Sequence, residues 1–80
     1  MGTFAATDAP FVEGVLSGLV VEFDSPAGLG YIDSVSGDRY LFHCIAIADG
    51  SREITVGQKV LFEIVMRFAK SEAWNIQKND

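Results

Sequence analysis

Two alternating runs, Gly28-Leu29-Gly30-Tyr31-Ile32 and Tyr40-Leu41-Phe42-His43-Cys44, stand close together with Ser36-Gly37-Asp38 between them. Side chains alternate faces along a strand, so a hairpin of these runs gathers Leu29, Tyr31, Leu41 and His43 on one face. Tyr40 and Phe42 fall in the opposite phase and belong to a core. The outward face is where function is to be sought.

The rest of the chain continues in the same idiom. From Val15 to Phe23, apolar and β-branched residues recur around Gly18, which reads as a strand bent at the glycine. Asp24-Ser25-Pro26-Ala27-Gly28 has turn chemistry, and strands follow over Leu29 to Val35 and Arg39 to His43. Ile45 to Ala48 is long enough for one helical turn, and Asp49 to Glu53 is a loop. Lys59 to Met66 alternates, with Val60, Phe62 and Ile64 facing one way. Trp74 to Lys78 closes the sequence, with Trp74 in the phase of Ile76 and read as a large plug. The result is an all-β chain, a small five-stranded antiparallel OB-like Greek-key barrel with Val20, Ile32, Tyr40, Phe42, Val60, Phe62 and Ile76 inside. Residues 1 to 13 lack periodicity and contain Pro10, so they are expected to be a mobile N-terminal tail, with the barrel domain at 14–80.

Composition sets limits on this reading. With 80 residues, 49% of them hydrophobic, the chain is too apolar for disorder and has room for one small core. No apolar run is long enough for a bilayer, and Met1 to Pro10 does not read as a secretory signal, so a cytoplasmic location and no membrane partner are expected. A single cysteine, Cys44, excludes an internal disulfide and leaves no ligand set for a structural metal. The net charge is −5, whereas affinity for nucleic acid comes mainly from basic groups, so any such function demands a local basic stripe.

Five segments, in order and spacing, carry a family resemblance. Gly18-Leu19-Val20-Val21-Glu22-Phe23 is similar to a G-x-V-K-W-F strand, and Ala27-Gly28-Leu29-Gly30-Tyr31-Ile32 to K-G-F-G-F-I. Tyr40-Leu41-Phe42-His43-Cys44 resembles V-F-V-H-F, and Ile45-Ala46-Ile47 follows it as S-A-I does. Gly57-Gln58-Lys59-Val60-Leu61-Phe62 fits G-Q-K-V-x-F, and Ala73-Trp74-Asn75-Ile76 fits A-A-N-V. These are motifs of the cold-shock domain, and the resemblance runs from about Gly18 to Lys78 by the alternation reading. It implies the OB-fold and binding of single-stranded RNA or DNA, by stacking bases on exposed rings beside cations that follow the backbone.

Carried over position by position, the resemblance assigns the nucleic-acid contacts to Phe23, Tyr31 and His43, with Arg39, Arg52 and Lys59 as the cations. Elsewhere the face is altered. Glu22 stands where the family has an exposed Trp, and Leu29, Leu41 and Cys44 stand where it has further aromatics. Ser51 occupies a loop position that is often aromatic, and Val21 and Ala27 replace two lysines. With three stacks missing at even ~1 kcal/mol each, binding is expected to be weaker by roughly a hundredfold or more.

Several of these residues also admit plainer roles. Phe23 fits a core or rim position as well as a stacking ring. Cys44 reads as an inert thiol, since no basic cluster near it would lower its pKa. His43 has no nucleophile or carboxylate at a recognised spacing, so no enzyme is implied. Gly28-x-Gly30 lacks a third glycine and a following helix, so it cradles no phosphate; Gly30 reads as keeping the strand face flat beside Tyr31. No cofactor follows from the sequence. Two functions remain: weak binding of single-stranded RNA or DNA, or an OB-fold interaction module that has lost nucleic-acid binding and takes a protein partner through the Leu29/Leu41 patch.

Overall fold

The computed structural model describes residues 15–67 and 69–79, so the tail expected over 1–13 lies outside the described residues. Among the described residues five strands form: β1 (Leu16–Asp24), β2 (Leu29–Ser34), β3 (Arg39–His43), β4 (Lys59–Arg67) and β5 (Lys70–Lys78), with one turn of 3₁₀ helix at Cys44–Ala46 after β3. They close into a barrel in the order β1-β2-β3-β5-β4. Neighbours are antiparallel except at the closure, where β3 meets β5 in parallel at Leu41 and Glu72.

β1 belongs to both halves of the barrel, and Gly18 allows this. It pairs with Ser34 of β2 and with Val60 of β4. A Cβ at Gly18 would lie 2.7 Å from Ile32 Cγ2 and 2.8 Å from the Asp33 carbonyl oxygen, so the strand can turn inward there only without a side chain.

The core follows the alternation. Val20, Ile32, Phe42, Val60, Phe62 and Ile76 are each no more than 1% exposed. Tyr40, expected with them, is half-buried and packs its ring 5.7 Å from that of Phe62 at a tilted angle. Ala46, Ile47, Ile54 and Ala73 complete the interior. Ile54 comes from the long connection between the 3₁₀ turn and β4, which has no strand periodicity to announce it.

β5 corrects the sequence reading twice. It begins at Lys70 rather than Trp74, because the two-residue connection after Arg67, with Ala69 at φ 65°, turns the chain back at once. Its polar start, Lys70-Ser71-Glu72, hides this in the sequence. Trp74 also does not share the phase of Ile76. Leu61 pairs with Gln77 while Glu63 pairs with Trp74, so Asn75 and Ile76 together oppose Phe62 in a bulge, with Asn75 at φ 51°. Ala73 and Ile76 therefore both point inward, and Trp74 lies half-buried against the core. The Asn75 side-chain amide donates to Glu63 Oε2 at 3.1 Å, bridging β5 to β4 at this irregularity.

Candidate functional site

The β2–β3 register sets the outward face. Leu29 pairs with His43, Tyr31 with Leu41 and Asp33 with Arg39, and these pairs form three successive rungs on the solvent side. β1 adds a third column through a second bulge. Val20 pairs with Ile32 but Glu22 pairs with Tyr31, so Val21 is the extra residue. Strict alternation from Val20 would have turned Glu22 inward and Phe23 outward. The bulge reverses this, placing Glu22 beside Tyr31 in solvent and Phe23 beside Gly30.

Gly30 sits in the inward phase, which corrects its reading as a flat spot on the outer face. A Cβ there would meet Phe42 Cζ and the Glu22 carbonyl oxygen, each at 2.6 Å. Its two cross-strand neighbours are Phe23 and Phe42, whose rings stack with centroids 5.9 Å apart and planes within 2°. Phe23 takes the core or rim position expected of it. It packs against the core through Phe42, and it also lines the groove above.

That groove has a volume of about 470 Å³ and runs over Glu22, Phe23, Leu29, Tyr31 and Leu41. Tyr31, 38% exposed, is its most accessible ring. Val21 and Val56 line the groove as well; sequence reading marks Val21 only as standing in for a lysine and does not mark Val56. Val56 arrives from the connection before β4. Gly57 N–H donates to the Val20 carbonyl at 2.8 Å and Val20 N–H to that of Gln58 at 3.0 Å, clamping this loop to the bulged part of β1. An exposed valine in a turn gives little signal in a sequence.

The remaining candidates are scattered. His43 lies at the end of the β3 row with Nε2 3.7 Å from Glu72 Oε1. Cys44 has already left the strand; it is half-buried behind the Gly28 turn, its amide donating to the Gly28 carbonyl at 2.8 Å, and it does not line the groove. Arg52 stands in the exposed loop after the 3₁₀ turn, at φ 60°, also outside the groove lining. Lys59, at the start of β4, pairs with Leu19 and lines a separate depression with Leu19, Asp33 and Val35.

Arg39 is on the face, but its charge is engaged. Its guanidinium grips Asp33 through two bonds, Nε to Oδ1 at 2.7 Å and Nη2 to Oδ2 at 3.1 Å. The hydrogen bond from Arg39 holds the Asp33 carboxyl below its usual range. The same bond, with the Asp33 charge and weaker through-space contributions from Glu22 and Tyr31, holds the Arg39 proton more tightly. Asp24, Glu22 and Asp33 put a carboxylate on each of the three outward β1–β2 rungs, Asp24–Leu29, Glu22–Tyr31 and Leu19–Asp33. Among the described residues, no group of three or more His, Cys, Asp or Glu side chains is placed to hold a metal ion, and no helix is long and apolar enough to cross a membrane.

The family described as the 'Cold-shock' DNA-binding domain matches residues 16–79. The chain belongs to the cold-shock domain family. Cold shock protein CspC of Bacillus subtilis (strain 168) is 36% identical over 62 residues, which cover 76% of this chain and 94% of that protein. Among solved structures, drosophila Unr CSD456 superposes with a TM-score of 0.70 at 24% identity, over 82% of this chain and 27% of that one, a likeness of fold. The description of that family is of a nucleic-acid-binding domain. On the outer face of this cold-shock barrel, Glu22 and Leu41 flank Tyr31 as its cross-strand partners, with Leu29 on the next outward rung.

Proposed function

We propose that this cold-shock domain binds single-stranded RNA or DNA weakly, along the groove over β1, β2 and β3. The observation that carries the reading is the exposed ring of Tyr31 in that groove, with Phe23 beneath it and an open outer face on three rungs. Each base stacked on an aromatic is worth roughly 1 to 3 kcal/mol, whatever its identity. Here one exposed ring and one half-buried ring stand where a broad platform would bind more tightly. The cations support the same conclusion: Arg39 is tied to Asp33, while Arg52 and Lys59 stand outside the groove. Little charge is left on the face to neutralise phosphates.

A fluorescence titration with labelled oligothymidine and a matched RNA, at two salt concentrations, tests this. Saturable binding that weakens as salt rises is expected. Flat curves at high protein concentration would overturn the reading and favour a protein partner. The observation behind that second reading is that Leu29 and Leu41, half-buried, line the same groove as Glu22 and would form an apolar patch with a charged rim.

A further inference from the structure

We propose that Glu22 makes this groove selective for guanine within a single strand. The inference rests on the reading that the groove binds nucleic acid. Glu22 and Tyr31 are a cross-strand pair on the outer face, brought opposite each other by the Val21 bulge. Side chains so paired have Cβ atoms about 5 Å apart. A base stacked on the Tyr31 ring therefore has its hydrogen-bonding edge within reach of the Glu22 carboxylate.

The chemistry of that edge decides which base is accepted. An ionised carboxylate only accepts hydrogen bonds. Guanine offers two adjacent donors, N1–H and the N2 amino group, which match the two carboxylate oxygens. Cytosine and adenine each offer one amino group beside an acceptor nitrogen. Thymine and uracil offer one N–H between two carbonyl oxygens, which repel the carboxylate. The side chain that is a liability beside phosphates is thus an asset beside one base.

The surroundings keep the carboxylate available for this role. Glu22 is exposed and makes no hydrogen bond or ion pair with the described residues. Arg39 acts on it only through space, because its guanidinium is held by both Asp33 oxygens at 2.7 and 3.1 Å. Val21 and Val56 line the same groove and offer apolar surface beside a base held there.

The test uses an oligothymidine of about eight nucleotides, within the range one such barrel covers, and the same strand with one central guanine. A single guanine avoids folded guanine assemblies and lets the protein choose its register. The guanine strand should bind about tenfold more tightly, the scale of one good bidentate contact. Inosine in place of guanine, which lacks the N2 amino group, should lose most of that gain. Glu22→Gln should bring the two affinities together while strengthening binding of plain oligothymidine, and Glu22→Ala, also at an exposed site, should do the same. Equal affinity of the native protein for the two strands would overturn the proposal, as would a Glu22→Gln variant that improves both by the same factor. Flat curves for both strands would instead overturn the nucleic-acid reading itself and the selectivity with it.

Discussion

The rings of Phe23 and Phe42 lie parallel, 5.9 Å between centroids, across the glycine that separates their strands. The arrangement joins the core to the floor of the groove, because Phe42 is sealed inside while Phe23 lines the groove above it. Gly30 is the spacer that lets the rings meet.

Gly30→Ala is therefore expected to destabilise the barrel by about 1 to 3 kcal/mol, the usual cost of forcing a group into a packed core. The added methyl meets a backbone oxygen and a sealed ring, neither of which can swing aside. Urea denaturation of the variant and the native protein checks this; an unchanged midpoint would mean that the stack relaxes freely.

Restoring the platform should restore binding. Glu22→Trp, Leu29→Phe and Leu41→Phe together add three stacking surfaces and remove one carboxylate. Oligothymidine affinity should rise by about two orders of magnitude or more, even with partial additivity. Partial additivity is expected because Glu22 and Leu41 both neighbour Tyr31. A folded triple variant that binds no better would place the contact face elsewhere.

Asp33→Asn should free Arg39 for phosphate. Binding should tighten, and the slope of log affinity against log salt should steepen by about 0.7, the value for one added contact on a single strand. An unchanged slope would show that Arg39 cannot reach the backbone even when released. Since both side chains are largely in solvent, little change in stability should accompany the gain.

Asp49 governs part of the acid response. Its carboxyl is lowered from 3.8 to about 2, first by the Ser51 backbone N–H, then by the Ser51 side chain and Lys78. A pKa depressed on folding contributes stability that is fully present above the unfolded value and is lost as pH falls through the folded one. The contribution should therefore fade between about pH 4 and 2. Asp49→Asn should be less stable than the native protein at pH 6, with the gap closing at pH 2. Thermal melts across that range provide the measurement.

The frame of the molecule was legible because burial imposes a period of two, and Val20, Ile32, Phe42, Val60 and Phe62 obey it. Where the period breaks, sequence reading failed. The bulge at Val21 and the one at Asn75 each insert a residue that alternation cannot announce, so Trp74 was given the wrong phase. The outward set of the β2–β3 hairpin was legible for the same reason as the core. Its charge balance was not, because the grip of Arg39 on Asp33 depends on registry between strands, and the approach of Val56 depends on backbone bonds from Gly57 and Gln58.

The parallel closure of the barrel has a mechanical consequence. Around most of the circumference the strands are laced by long ladders, but between β3 and β5 the described join is the Leu41–Glu72 pair, with an isolated bridge from Ile47 to Ile76 and the Ala48 amide on the Ile76 carbonyl beyond it. A hoop yields at its thinnest weld, so amides along this seam should exchange with deuterium before those of the β1–β2 ladder. Leu41 belongs both to the seam and to the groove, and a strand lying across Tyr31 and Leu41 would brace the hoop from outside. Slower exchange at the seam than in the free protein would then record occupancy without any change of shape.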